Sequence, residues 1–445
     1  MTVSLAPTDQ ELAAIRADFP ILGRRLITPA EEAFYQPSAP EGGGAKLVYL
    51  DSGATAQRPR VVLDAMRDFS ENHNAAVHRG AHALASEATE AFEGARESIA
   101  AFVGAEAGEL VFTSGATGAI NLLTAALGAA STGRGQGLGR RFAILPGDRI
   151  VVTQAEHHSN LVPWQELAAR TGAELAWLRV GADGRLRLDD LEGVINPRTR
   201  VMAFTHASNV TGAISDVAAI TAAARRVGAF TVLDAAQTVP HQPVDLPALG
   251  VDFAAFSAHK MLGPNGIGGL YGRAELLEAL PPGFTGGSMV EIVTMRDATF
   301  LPPPHRFEAG TQAVTQAIGW AAAVGYLSHL GMERIAAHEH ELTVRLLDAL
   351  ATLEGVRVLG PAEAQDRLGA VAVDVAGVHA HDVGQYLDAQ GIAIRVGHHC
   401  AQPIHRALGV QASTRASLAL YNTADEIDRF VAALGEVRGY FGAAG

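Results

Sequence analysis

Of the 34 lysines and arginines in this 445-residue chain, only Lys46 and Lys260 are lysine. Lys260 lies between an apolar run, DFAAFSA, and a glycine-rich turn, MLGPNGIGG. Lysine can shed its proton near neutral pH and attack a carbonyl, which arginine cannot do. The position therefore reads as a Schiff-base residue, against the simpler account that a scarce residue must fall somewhere. Asp234 ends the apolar run FTVLD, 26 residues earlier. Alone, an aspartate there reads as the N-cap of the next helix. Beside a reactive lysine it reads differently, because a buried carboxylate needs a cationic partner. A carboxylate for a protonated pyridine nitrogen and an amine for an aldehyde are the two anchors of pyridoxal phosphate.

That cofactor also needs a phosphate site. SGATGAINLLTAAL places small residues and Thr117 at a helix start, where free N–H groups and the helix dipole favour an anion. Ser257 and His259, just before the lysine, complete such a cup, and Gln237 and His157 close two further apolar runs. In an open parallel sheet, ligands bind beyond these carboxyl ends of strands. GPNGIGG lacks the G-x-G-x-x-G spacing and reads as a backbone turn.

A second constellation lies near the C-terminus, in GIAIRVGHHCAQP and STRASLALYNT. Cys400, the only cysteine, stands in a polar, glycine-flanked loop after His398 and His399. Imidazoles and Arg395 beside a thiol favour the thiolate, the nucleophilic form. Metal ligation by His398, His399 and Cys400 is the competing reading. Adjacent histidines diverge and no second thiolate exists, so no metal site is expected. Arg395 and Arg415 offer forked donors for a carboxylate, or surface ion pairs.

The elements that must position these residues follow from the pattern. Short apolar runs (GELVFTS, DRIVVTQA, RVMAFTHAS, FTVLDAAQ, DFAAFSA, GGLYGR) alternate with helical stretches, as in a mostly parallel sheet covered on both faces. After about residue 310, long helical stretches lead to shorter strands, as in a smaller α+β domain. The expected division is an N-terminal segment 1–46, a large domain 47–310 and a small domain 311–445. Segments 27–46 and 131–147 read as surface loop insertions. A net charge of −13 argues against nucleic acid or an anionic membrane as partner. No signal peptide, membrane span or disulfide is expected, and the reading is cytoplasmic. The sequon at Asn209 is then idle.

The matching stretches YLDSGATAQRP, AAVHRGAHAL, GATGAINLL, EHHSNLVPW, DAAQTVPH, SAHKMLGPNGIGG, HRFEAGT and RVGHHCAQP closely resemble SufS-type cysteine desulfurases. These belong to the class V aminotransferase group of fold-type I pyridoxal phosphate enzymes. The resemblance implies that Lys260 carries the cofactor, Asp234 holds its ring nitrogen, Gln237 contacts the ring hydroxyl and His157 stacks on the ring. It implies phosphate binding by Thr117, Ser257 and His259, joined by Thr311 from a second subunit and hence a homodimer. Asn209 and Arg415 would hold the carboxylate of L-cysteine with Arg395 close by, His78 and Arg79 would line the entrance, and Cys400 would accept the sulfur. A SUF-system acceptor, SufU-like, would dock near His381, in VHAHD with His379; a helix cap or plain surface histidine is the other reading. Gly118, Ser52, Gly53 and Gln312 depart from the family pattern. Three alternatives stand beside this reading: a selenocysteine lyase or cysteine sulfinate desulfinase of the same family, an epimerase or transaminase, and a sulfur-carrier scaffold with a vestigial site. The last would have lost Lys260 or Asp234.

Overall fold

The structure, a computed structural model, describes residues 5–26, 45–134 and 137–443. Seven strands make the central sheet: β1 (Leu110–Thr113), β2 (Arg149–Thr153), β3 (Glu174–Leu178), β4 (Thr199–Thr205), β5 (Phe230–Asp234), β6 (Phe253–Ser257) and β7 (Gly268–Gly272). Their spatial order is β1-β7-β6-β5-β4-β2-β3. Strands β2 to β6 pair in parallel, and β7 runs antiparallel to both of its neighbours. The sheet is thus the mostly parallel, helix-covered one expected of fold-type I enzymes.

Side-chain alternation divides the core. Ala254 and Phe256 of β6 pack on one face with α1 (Ala83–Phe102) and with Trp320 and Ala323 further along the chain. Phe253 and Ala255 pack on the other face with Ile120 and Leu123 of α2 (Ala116–Ala129). Trp320 belongs to α3 (Val314–Leu330), so that helix lies against the large sheet.

Four antiparallel strands, β8 (Val356–Leu359), β9 (Ala370–Val375), β10 (Arg395–Gly397) and β11 (Ser413–Ser417), form a second sheet in the order β8-β9-β11-β10. It shares a core with α4 (Met332–Leu350), α5 (Ala380–Asp388) and α6 (Ala424–Tyr440), through Leu346, Val383 and Phe430. Val48 and Leu50 sit in this second core, and Val48–Tyr49 pairs in parallel with Ile392–Ala393. Asp51 continues along β11 by bridging to Ser417, and the Ala56 N–H then donates to the His259 carbonyl (2.9 Å), just beyond the large sheet.

One expectation needs correcting. Within segment 131–147 the described residues form helical turns, Ala130–Arg134 and Gly137–Phe142, and Phe142 and Ile144 are only 1% and 2% exposed, so this part is anchored rather than a free surface loop. Phe142 stacks on Phe230 of β5 at 4.9 Å. Glycine and arginine hid two apolar anchors, FAIL, that cap the sheet. Of the other insertion, residues 27–44 lie outside the described residues.

Candidate active site

The carboxyl ends of the central strands, the start of α2 and the loop after β10 meet around a cavity of about 230 Å³. Lys260, Asp234, Ser257, His259, Thr117 and His157 line it from the large sheet; Asn209, Arg395, Arg415 and Cys400 complete the wall.

Lys260 ends a single helical turn, Ala258–Lys260, directly after β6. Burial, with Arg415 nearby, outweighs the attraction of Asp234 and Cys400 and brings its amine down to about 8. An amine in that range keeps a reactive neutral fraction near pH 7 that an ordinary lysine lacks. Burial pushes the Asp234 carboxyl up, against the influence of Lys260 and of the Ala236 N–H, which donates to it at 3.0 Å. A cation delivered beside Asp234 would restore its charged form, which is what a protonated pyridine nitrogen does.

His157 accepts the Ser159 N–H at Nδ1 (3.1 Å). Burial, then Lys260, His158 and Arg415, holds its pKa near 3, so the ring is neutral and offers an uncharged face for stacking. The start of α2 is open: Gly115 takes φ 129°, a conformation that favours glycine, and gives the helix no side-chain cap. Ser257 Oγ accepts the Ala116 N–H (2.8 Å) and ties β6 to that helix, and Thr117 Oγ1 meets Ser159 Oγ at 2.6 Å. Hydroxyls and free N–H groups around a helix N-terminus fit a phosphate. Acid-stabilising, amine-bearing and anion-binding groups thus occupy one cavity, and the donor set fits pyridoxal phosphate.

The opposite wall carries positive charge. Arg415, on β11 and 2% exposed, donates to the Asn209 carbonyl (2.9 Å) and to Asp51 (3.2 Å). Its buried Nε has no partner among the described residues. Arg395 pairs with the other oxygen of Asp51 at 3.1 Å. A guanidinium with an unused donor beside a cavity fits a carboxylate.

Cys400 is exposed, yet its backbone is firmly held. His399 and Cys400 take φ of 50° and 55°, left-handed conformations unusual for side-chain-bearing residues. Such strain persists only where neighbours over-determine it. Asn209 donates to the His399 carbonyl (2.7 Å), the His158 N–H donates to the Cys400 carbonyl (2.6 Å), and Gln402 N–H reaches His158 Nε2 (3.2 Å). His399 Nε2 meets Ser413 Oγ at 2.8 Å. The thiol is free while its peptide is clamped to the large sheet's loop.

A family profile described as aminotransferase class-V matches residues 48–430. The chain belongs to that family. Within it, the chain is 53% identical over 442 residues to the probable cysteine desulfurase 2 of Mycobacterium leprae, covering 99% of this chain and 100% of that one. It is 41% identical to the cysteine desulfurase of Haloferax volcanii, over 97% of this chain and 98% of that one. Among solved structures, the apo cysteine desulfurase of Thermococcus onnurineus NA1 has a TM-score of 0.85 at 35% identity, covering 98% and 100% of the two chains. The cysteine desulfurase CsdA of Escherichia coli has a TM-score of 0.82 at 37% identity, covering 96% and 98%. The class-V family enzyme expected from the sequence, with its pyridoxal phosphate dependence, stands.

Not every expected site residue reaches the cavity. Gln237 is buried but donates its amide to the Gly53 carbonyl (3.0 Å) and is not part of the lining. His78, Arg79 and Thr311 line a separate groove together with Gln312. His381 is exposed at the start of α5, and its N–H is accepted by the capping ring of His379 (3.2 Å), so the helix cap is His379. The departures from the family pattern have local partners: Ser52 Oγ meets the Tyr421 hydroxyl at 2.7 Å, and Gly53 N–H donates to Ser417 Oγ (2.8 Å). A Cβ at Gly118 would come within 2.5 Å of Ser114 Oγ as that side chain stands.

Residue-type reasoning missed Asp51, Glu156, His158 and Ser159. Glu156 and His158 flank His157 in EHHSN, a cluster of ionisable groups at a strand end that could have flagged them. Asp51 announces itself only through its two arginines, 344 and 364 residues away in sequence.

Proposed function

We infer that the chain is a cysteine desulfurase that converts L-cysteine to L-alanine and leaves the sulfur as a persulfide on Cys400. The observation carrying this reading is one juxtaposition: an exposed thiol, clamped by its backbone, on the wall of the cavity that holds Lys260, Asp234 and Arg415. Bound pyridoxal phosphate would be held by Lys260, Asp234 and the α2 N-terminus, and supplies the electron sink for chemistry at the substrate's Cα. Arg415, with Asn209 and Arg395 beside it, holds the substrate carboxylate and so orients the side-chain sulfur towards Cys400. The amine of Lys260 removes and returns protons at Cα, a task suited to a group near 8. The Cys400 thiolate attacks the substrate sulfur; an S–S bond forms, the C–S bond breaks, and its electron pair stays with the carbon, which is then protonated. The balance is thiol plus cysteine giving persulfide plus alanine.

Three finer features belong to this reading. The groove shared by His78, Arg79 and Thr311 supports a homodimer in which Thr311 completes the phosphate site of the other subunit. The large domain (47–310) carries the cofactor site and the small domain (311–445) the cysteine loop, with Val48 joining the small-sheet core and α3 packing on the large-sheet core. The acceptor is a SUF-system protein of iron–sulfur assembly in the cytoplasm, docking beside the exposed His381; α5 packs on β10, the strand that leads into the Cys400 loop, since a Cβ at Gly384 would meet Val396 at 2.6 Å.

Purified protein incubated with L-cysteine, and separately with L-selenocysteine, tests the activity. Alanine and bound persulfide from wild type, with cysteine turnover lost in Cys400→Ala, are expected. Full cysteine turnover by that variant would make a lyase-type reaction the better description.

A further inference from the structure

Outside the cavity, His78, Glu93 and His305 bring one ligand-type atom each to within 4.8 Å of one another. They come from three separate places: a loop, the middle of α1, and a short helical turn, His305–Phe307. His78 Nε2 and Glu93 Oε1 are 2.8 Å apart, and the His78 and His305 rings meet edge to face at 5.1 Å. Atoms bound at about 2.0–2.2 Å to one tetrahedral cation stand roughly 3.3–3.6 Å apart. The one short pair, at 2.8 Å, lies below that value, and no pair of ligand atoms is farther apart than 4.8 Å.

The carboxylate is held from behind. Arg96, 1% exposed, donates to Glu93 Oε2 (2.8 Å) and is itself fixed by Glu308 (2.9 Å) and the Leu110 carbonyl (3.0 Å). Two carboxylates on one guanidinium leave the cluster net negative, and outer-sphere partners of this kind orient metal ligands. His78 is likewise fixed, in a left-handed backbone (φ 70°), by its N–H to Thr89 Oγ1 (2.8 Å). Its side chain is reachable from solvent, since the residue is exposed.

We propose that His78, Glu93 and His305 form a three-ligand binding site for one first-row divalent cation of the zinc type, at the edge of the groove that holds Thr311. Two imidazoles and one carboxylate suit zinc and cobalt and are poor ligands for magnesium or calcium, which take oxygen. Occupancy joins the His78 loop to the segment that carries Thr311.

Cobalt(II) is the probe, because its visible absorption reports coordination. Holoenzyme is titrated with cobalt alongside Cys400→Ser, His305→Phe and Glu93→Gln, with thermal melting and bound-cofactor absorbance confirming the fold of each. His305→Phe keeps the ring against His78 while removing the nitrogen. The expected result is one cobalt per chain in wild type and in Cys400→Ser, displaced by zinc and not by magnesium, with affinity at least tenfold weaker in the two cluster variants. Absence of binding in wild type overturns the proposal and leaves the trio a hydrogen-bonded brace. So does loss in Cys400→Ser or full retention in folded His305→Phe, which would put the metal on the catalytic thiol or elsewhere.

Discussion

At the scale of single residues, the account rests on how burial sets proton affinity. Lys260 stands at about 8, so roughly a tenth of it is neutral at pH 7 and most of it at pH 9. Capture of pyridoxal phosphate by apoenzyme should therefore quicken with pH and level off above about 8, as followed by stopped-flow absorbance; a flat profile from pH 6.5 to 9 would contradict the placement of this amine. In the proposed reaction Arg415 holds the substrate carboxylate, with an unused Nε donor and a planar geometry that lysine cannot reproduce. Arg415→Lys is expected to raise KM for cysteine about 10- to 100-fold, the loss of one to two charge-assisted hydrogen bonds, with the cofactor spectrum unchanged. Steady-state kinetics decide this; an unchanged KM would remove Arg415 from substrate binding. Cys400 was legible as the only cysteine and Lys260 as one of two lysines, set between an apolar run and a glycine-rich turn. Gln237 was placed by resemblance; its amide donates to the Gly53 carbonyl, a contact that depends on how two distant segments pack.

At the scale of elements, strand ends and one loop do the positioning. Glu156 is wholly buried after β2 and its carboxyl is pushed up to about 8 by burial, although Thr153 Oγ1 (2.5 Å), Asn160 Nδ2 (2.6 Å) and the Thr205 N–H (2.9 Å) all reach it. It therefore joins the ends of β2 and β4 just behind His157. Glu156→Ala leaves these donors buried without an acceptor and should cost about 2–4 kcal/mol in denaturant unfolding, whereas the near-isosteric Glu156→Gln should cost much less. Equal, small losses in both variants would mean that the network carries no weight. The strands themselves were readable as near-continuous apolar runs, and period-two burial in β6 accounts for that pattern. Segment 131–147 was misread because its arginines and glycines outweigh two anchoring apolar side chains in composition, while burial is decided by those two alone.

At the scale of the whole molecule, two sheets with separate cores hold one cavity between them. The sequence pattern anticipated both sheets; it could not show that α3 packs on the larger one and that Val48 and Leu50 join the smaller, because such crossings depend on contacts between segments hundreds of residues apart. The groove that holds Thr311 is away from the chain's own cavity, as its proposed role in a second copy requires. A mixture of Lys260→Ala and Thr311→Asp subunits should then form hybrid dimers with one intact site and about half of wild-type activity per dimer. A hybrid in which one subunit carries both changes should be inactive; activity there would show that Thr311 serves its own chain or none.

The central claim is that sulfur passes to Cys400. The most direct measurement is the mass of the peptide containing Cys400, released under non-reducing conditions after brief exposure of holoenzyme to L-cysteine and blocking of free thiols. The account predicts that this peptide gains one sulfur atom, reversible by a thiol reductant, in step with alanine formation. Alanine forming while the peptide mass stays unchanged would contradict it.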